Sequence, residues 1–168
     1  MLLARQNPYV SGEVALFDTL VRAGEEKASV TLPHALHGFL VDCLVEHLRD
    51  PEITHDVLAL GFLRAVELSG EKGNVVLKRV GDEALLLAGL FPERALRLRV
   101  SVRYFRQMGQ SAYGNLSAKL IAGGKPERSH FYNTLARQFE LLEKVLGAVR
   151  ATPESEWDAF RRFRAQLQ

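Results

Sequence analysis

Two Glu-x-x-His spacings stand in this 168-residue sequence, Glu52-Ile-Thr-His55 and Glu127-Arg-Ser-His130. Residues three apart share one face of a helix, so each pair can offer two ligands to one metal ion. Two such motifs on separate helices, joined by two further glutamates, make a di-iron carboxylate site. Here each motif directly follows a proline, Pro51 or Pro126, which places it on the solvated first turn of a helix. Glutamate has a simpler use there, opposite the positive end of the helix dipole. No metal and no cofactor is therefore expected, and Glu52, His55, Glu127 and His130 stand as the alternative metal set. His34 and His37 repeat the i, i+3 spacing, but His47 falls about 80° from His37 on an ideal helix. Those three read as solvated or partner-facing histidines.

Cys43 lies on an apolar stripe, between Phe39 and Leu44, and reads as an inert buried thiol with no basic neighbour to activate it. No nucleophile elbow, phosphate loop, dinucleotide fingerprint or His-Glu-x-x-His motif occurs, so the sequence leans away from an enzyme and names no catalytic residue. Arg94, Arg97, Arg99, Arg103 and Arg106 make a basic run around Tyr104 and Phe105. Such a run reads as a solvated or salt-bridging helix end; its functional alternatives are an acidic protein partner or nucleic-acid phosphates. With 22 basic against 20 acidic residues and pI near 8.8, nucleic acid is disfavoured. The densest polar cluster is Asp82, with Tyr104, Gln107, Ser111 and Tyr113 on the next helix. An ionised aspartate beside an apolar helix needs a hydrogen-bonding or cationic partner. The cluster reads as a structural network between two central helices. Its functional alternative is a ligand pocket floored by Asp82, Tyr104, Ser111 and Tyr113, in a small-molecule-binding or enzymatic bundle.

The elements that position these residues follow the 3.6-residue period almost throughout. A first helix is expected over about Glu13 to Gly24, with Val14, Phe17, Leu20 and Val21 inward. A second runs from Pro33 to Asp50, capped by Thr31, with Leu36, Phe39, Leu40, Cys43, Leu44 and Leu48 on one stripe. A third starts near Ile53, holds Val57, Leu60, Ala65 and Leu68 inward, and stops at Ser69-Gly70. Ala84 to Phe91 shows no polar face and is expected as a central helix ending at Phe91-Pro92. After an arginine-rich connection, a helix through Ala112, Leu116 and Leu120 ends at Gly123-Gly124. Gly109 and Gly114 inside it cost roughly 1 kcal/mol each relative to alanine, which a close helix crossing or a kink would explain. From Pro126 one long helix carries Phe131, Leu135, Phe139, Leu142, Leu146 and Val149 on an a/d-like seam to Ala151. A last helix carries Trp157 and Phe160, with acids in its first half and arginines in its second.

The sum is an all-α bundle of six to seven helices in one domain spanning 1–168, with 1–11 a flexible N-terminus. Composition agrees: 47% hydrophobic and 25% charged residues suit a globule, and one cysteine excludes a disulfide framework. No apolar run is long enough to span a membrane, and the first residues lack the pattern of a secretory signal. A cytoplasmic location is expected. Of the 22 basic residues 16 are arginine, a skew that a GC-rich genome explains as well as a partner does.

Two segments are similar to a known pattern: Val80-Gly81-Asp82-x-x-Leu85-x-x-x-Gly89-x-Phe91-Pro92-Glu93, and Val102-x-Tyr104-Phe105-x-x-Met108-Gly109-x-x-Ala112-Tyr113-Gly114. Together they resemble a family of uncharacterised all-helical bacterial proteins, over roughly residues 32–149. Phe105 stands where that pattern has a second tyrosine. The resemblance implies a helical fold and a bacterial origin, and brings no activity, substrate or catalytic residue. A cytoplasmic interaction or regulatory protein is the expected function. Its partner is a protein or a second copy of the chain, with the arginine run and the Phe131–Val149 seam as contact surfaces.

Overall fold

The computed structural model describes residues 8–47 and 56–151. Among them are eight α-helices and no strand. They are α1 (Pro8–Ala28), α2 (His34–His47), α3 (Asp56–Glu67), α4 (Gly70–Gly89), α5 (Pro92–Arg97), α6 (Val102–Ala122), α7 (Pro126–Arg137) and α8 (Phe139–Arg150). The fold is all-α, with more helices than the pattern suggests, because α5 forms inside the arginine-rich connection and the long helix breaks at Gln138. The chain divides into two compact units, one of residues 1–49 with 145–168 and one of residues 50–144. The expected last helix, Glu52, His55 and Leu48 lie outside the described residues.

In the larger unit α4 is the central element, with α3, α5 and α6 packed on it and α7 packed on α6. Every residue from Val80 to Leu90 is buried. That is the physical requirement of a segment with no polar face. Helix α6 turns Phe105, Gly109, Ala112, Tyr113, Leu116 and Leu120 inward. Two glycines set how closely these helices meet. A Cβ on Gly81 would collide with the Tyr113 ring, and one on Gly109 would collide with the Phe139 ring. Gly114 has open space around it, so the close crossing accounts for Gly109 alone.

In the smaller unit α1 packs on α2. Phe17, Leu20 and Val21 are buried, but Glu13 takes the inward position expected of Val14, which is 38% exposed. Glu13, Phe17, Leu20 and Gly24 complete one stripe at helical spacing, and Val14 sits a residue off it. Gly24 allows a close approach, since a Cβ there would strike Val149. Helix α2 buries Val41 and His47 in addition to its expected stripe. Thr31 is exposed and α2 instead starts on Pro33, whose carbonyl accepts from Leu36 and His37.

Three helices end on the same hydrogen-bonded motif. Val30 N–H donates to Glu25 O, Val100 N–H to Ala95 O, and Lys125 N–H to Leu120 O. Each needs a left-handed residue just past the helix: Ser29 (φ 53), Arg99 (φ 57) and Gly124 (φ 72). Only the last carries the expected glycine. At Gln138 (φ −97, ψ 12) the helix from Pro126 bends into α8. Thr134 lies one turn before it and donates Oγ1–H to His130 O, a bond that bends helices.

The two glycines of α6 predict opposite outcomes. Gly109→Ala is expected to destabilise by about 1–3 kcal/mol through overpacking against Phe139. Gly114→Ala is expected to stabilise by up to about 1 kcal/mol through helix propensity. Urea unfolding of both variants reads the contrast.

Candidate functional site

Asp82 sits in the middle of α4, one turn after Lys78, and is fully buried. Tyr113 Oη donates to its Oδ1 at 2.8 Å, and Lys78 Nζ reaches its Oδ2 at 2.6 Å. The lysine end is one-third exposed while the carboxylate is not, so the pair carries charge from the surface to the core. The close approach at Gly81 lays the tyrosine ring on the α4 backbone and brings its hydroxyl to the next residue. Tyr132 and Phe139 flank that ring, with centroids 6.0 and 6.1 Å away. This arrangement holds a charge and locks two helices in register; it offers no exposed nucleophile.

Of the four residues proposed for a pocket, the structure brings together Asp82 and Tyr113. Tyr104 and Ser111 are on the solvent face of α6, with Gln107 between them. Tyr104 packs its ring edge-on against Phe105, centroids 5.7 Å apart. The 100° step of a helix puts 104, 107 and 111 on one side and 105, 109, 112 and 116 on the other.

The arginine run separates in the same way. Arg106 forks onto Glu143 at 2.8 and 3.0 Å, which raises its already high pKa. Arg94 stacks on the Phe91 ring, 4.5 Å from its centroid. Arg97, Arg99 and Arg103 are exposed and, among the described residues, have no acidic partner. Beside them in the chain Leu96 is 80% exposed. Glu127 and His130 are exposed on the first turn of α7.

A charged cluster that the sequence did not single out sits between α1 and α2. His37 Nε2 is 2.7 Å from Asp18 Oδ1, and its Nδ1 is 2.7 Å from Glu25 Oε2. Glu25 Oε1 also accepts from Leu32 N–H, and Asp18 accepts from Arg22. Burial alone would lower the His37 pKa, but the bonds to Asp18 and Glu25 and their charges outweigh it, so the value is raised. Asp18 is held below its ordinary value, first by Arg22 and then by His37. The signal was present: acids seven apart, Asp18 and Glu25, share one face of α1. Of the other two histidines of α2, His34 is exposed as expected, whereas His47, read from the sequence as solvated or partner-facing, is buried because it falls on the inward side of the helix with Leu40 and Leu44.

No protein-family model, curated protein or solved structure matches the chain.

Two outcomes follow from these clusters. Tyr113→Phe removes the buried donor to Asp82 while keeping the ring, and is expected to cost about 1–3 kcal/mol in urea unfolding. His37 has a raised folded-state pKa, so its contribution to stability is complete below the unfolded value of about 6.5 and disappears as pH rises through the folded value. His37→Gln is expected to abolish that alkaline loss in thermal melts taken across the range, and to be less stable than the parent at pH 6.

Proposed function

We propose that the chain is a cytoplasmic bacterial helical interaction protein that self-associates as a homodimer through the outward face of α3. The observation that carries this reading is the exposure of Leu63 (62%) and Val66 (48%) on one side of that helix. Ala59 is exposed there too, so positions i, i+4 and i+7 form an apolar stripe facing away from α4. Arg64 and Glu67 are exposed beside it, the polar rim that a specific contact uses. Such a stripe on a two-fold axis would pair with itself. The Phe131–Val149 seam is not available for this purpose, because Leu135, Phe139, Leu142, Leu146 and Val149 are all buried within the chain. Among the described residues no helix is long and apolar enough to cross a membrane. A single cysteine, Cys43, buried in the chain, suits a reducing compartment.

A second reading rests on the arginine edge, where Arg97, Arg99 and Arg103, without an acidic partner among the described residues, accompany the exposed Leu96 and Tyr104. An acidic, partly apolar protein segment complements that surface.

Light scattering on size-separated protein at micromolar concentration tests the first reading. A dimer is expected, and Leu63→Glu with Val66→Glu should weaken it by about two orders of magnitude with helicity unchanged. A parent protein that stays at 18.8 kDa throughout would overturn it.

A further inference from the structure

The smaller unit holds a titratable group whose bonds exist in one protonation state only. His37 lies on α2 with its side chain 12% exposed, and both of its ring nitrogens meet carboxylates of α1. Nε2 is 2.7 Å from Asp18 Oδ1, and Nδ1 is 2.7 Å from Glu25 Oε2. An ionised carboxylate only accepts, and a neutral imidazole carries a single N–H. Both bonds therefore need the doubly protonated ring, a cation with an anion at each end.

The two acids are not equivalent. Glu25 is 13% exposed, and its second oxygen accepts from Leu32 N–H in the turn that leads into α2. Asp18 is 37% exposed and keeps Arg22 on its second oxygen at 2.8 Å. Asp18 and Glu25 are the charges that act on the ring, with Arg22 behind Asp18. The nearest titratable neighbour on α2 is His34, exposed one turn away. Two positive and two negative groups thus balance while the ring is protonated. Loss of one proton breaks the balance, because the neutral ring can donate to one acid only. The more buried acid has the greater need of a donor, whereas Asp18 has Arg22 and water.

We propose that His37 is a proton-operated joint between α1 and α2: the imidazolium ties Asp18 and Glu25 together, and the neutral ring keeps Glu25 through Nδ1–H and releases Asp18 to Arg22 and solvent. The bare Nε2 lone pair then faces an anionic oxygen, which turns away. The turn through Leu32 stays fixed, and α1 loses the Asp18 tie to α2. Bonds to Asp18 and Glu25 raise the His37 pKa against the effect of burial. The joint is therefore closed below the ordinary histidine value of about 6.5 and opens as pH rises through the higher folded value. On opening, the cluster passes from neutral to one negative charge at the surface of α1. All of these residues lie within the smaller unit, so the test does not depend on association through α3.

Nitrogen-15 NMR of the full chain with ring-labelled histidine reads the proton on each nitrogen, and the His37 signals are those absent from His37→Gln. At pH 6 both ring nitrogens are expected to carry a proton. Above the midpoint, which should exceed the ordinary histidine value, the proton should remain on Nδ1 and be lost from Nε2. Helicity and the slow exchange of the Leu32 amide should persist across the midpoint. Asp18→Asn should lower the midpoint by removing an anion. Arg22→Gln, at an exposed position, should raise it by removing the cation that competes for Asp18. A ring with one proton at pH 6, a midpoint at or below the ordinary value, or a neutral ring protonated on Nε2 would each overturn the proposal. So would loss of helicity or of Leu32 protection at the midpoint, or a shift in the same direction in both variants.

Discussion

The larger unit depends on how closely α4 and α6 approach at Gly81. The missing side chain there lets the Tyr113 ring lie directly on the α4 backbone, and only from that position does its hydroxyl reach Asp82. A buried carboxylate without donors would cost several kcal/mol. With Tyr113 on one oxygen and Lys78 on the other, the same group becomes a constraint on helix register. Sliding α6 by one residue would carry the hydroxyl about 1.5 Å along the axis and rotate it by about 100°, and Asp82 would lose the tyrosine donor. Gly109 repeats the device a turn earlier on α6, where the Phe139 ring takes the vacated space beside Ala84. Apolar burial holds α4 in the centre, and these two close approaches decide which neighbours it accepts.

That constraint divides the chemistry of α6 between two faces. The residues that look inward are either apolar or committed to Asp82. The residues that look outward, Tyr104, Gln107 and Ser111, are left to solvent. The interior of this unit is therefore spent on packing and pairing. At its surface lie the apolar stripe of α3 and the exposed Arg97, Arg99 and Arg103, which have no acidic partner among the described residues. The His37 clasp shows the same economy in the smaller unit, where one imidazole joins two carboxylates of α1 to α2 and fixes the turn through Leu32.

Much of the fold was legible because helical periodicity is a local property. The stripes of α2 and α6 and the all-apolar run of α4 each announced a helix and its buried side. The places that were not legible share a cause. Ser29 and Arg99 end helices in a conformation that glycine usually supplies, since a backbone hydrogen bond can hold a residue where its own preference would not. Glu13 turns inward where Val14 was expected, a shift of one residue that leaves the periodicity almost unchanged. The bend at Gln138 lies inside a seam of unbroken spacing, because the seam records which side is buried and not whether the axis is straight.

The sequence by itself determined that this chain is helical, that α4 is central, and that Asp82 must find a partner, because each follows from the burial requirements of residues close in the chain. It did not determine that Tyr113 would be that partner and Tyr104 would not. Nor did it show which arginines would be consumed in ion pairs, or that His37 would meet two acids. Those outcomes depend on which helix faces meet and at what distance, which the tertiary structure sets through glycines whose significance lies in what a neighbouring helix places against them.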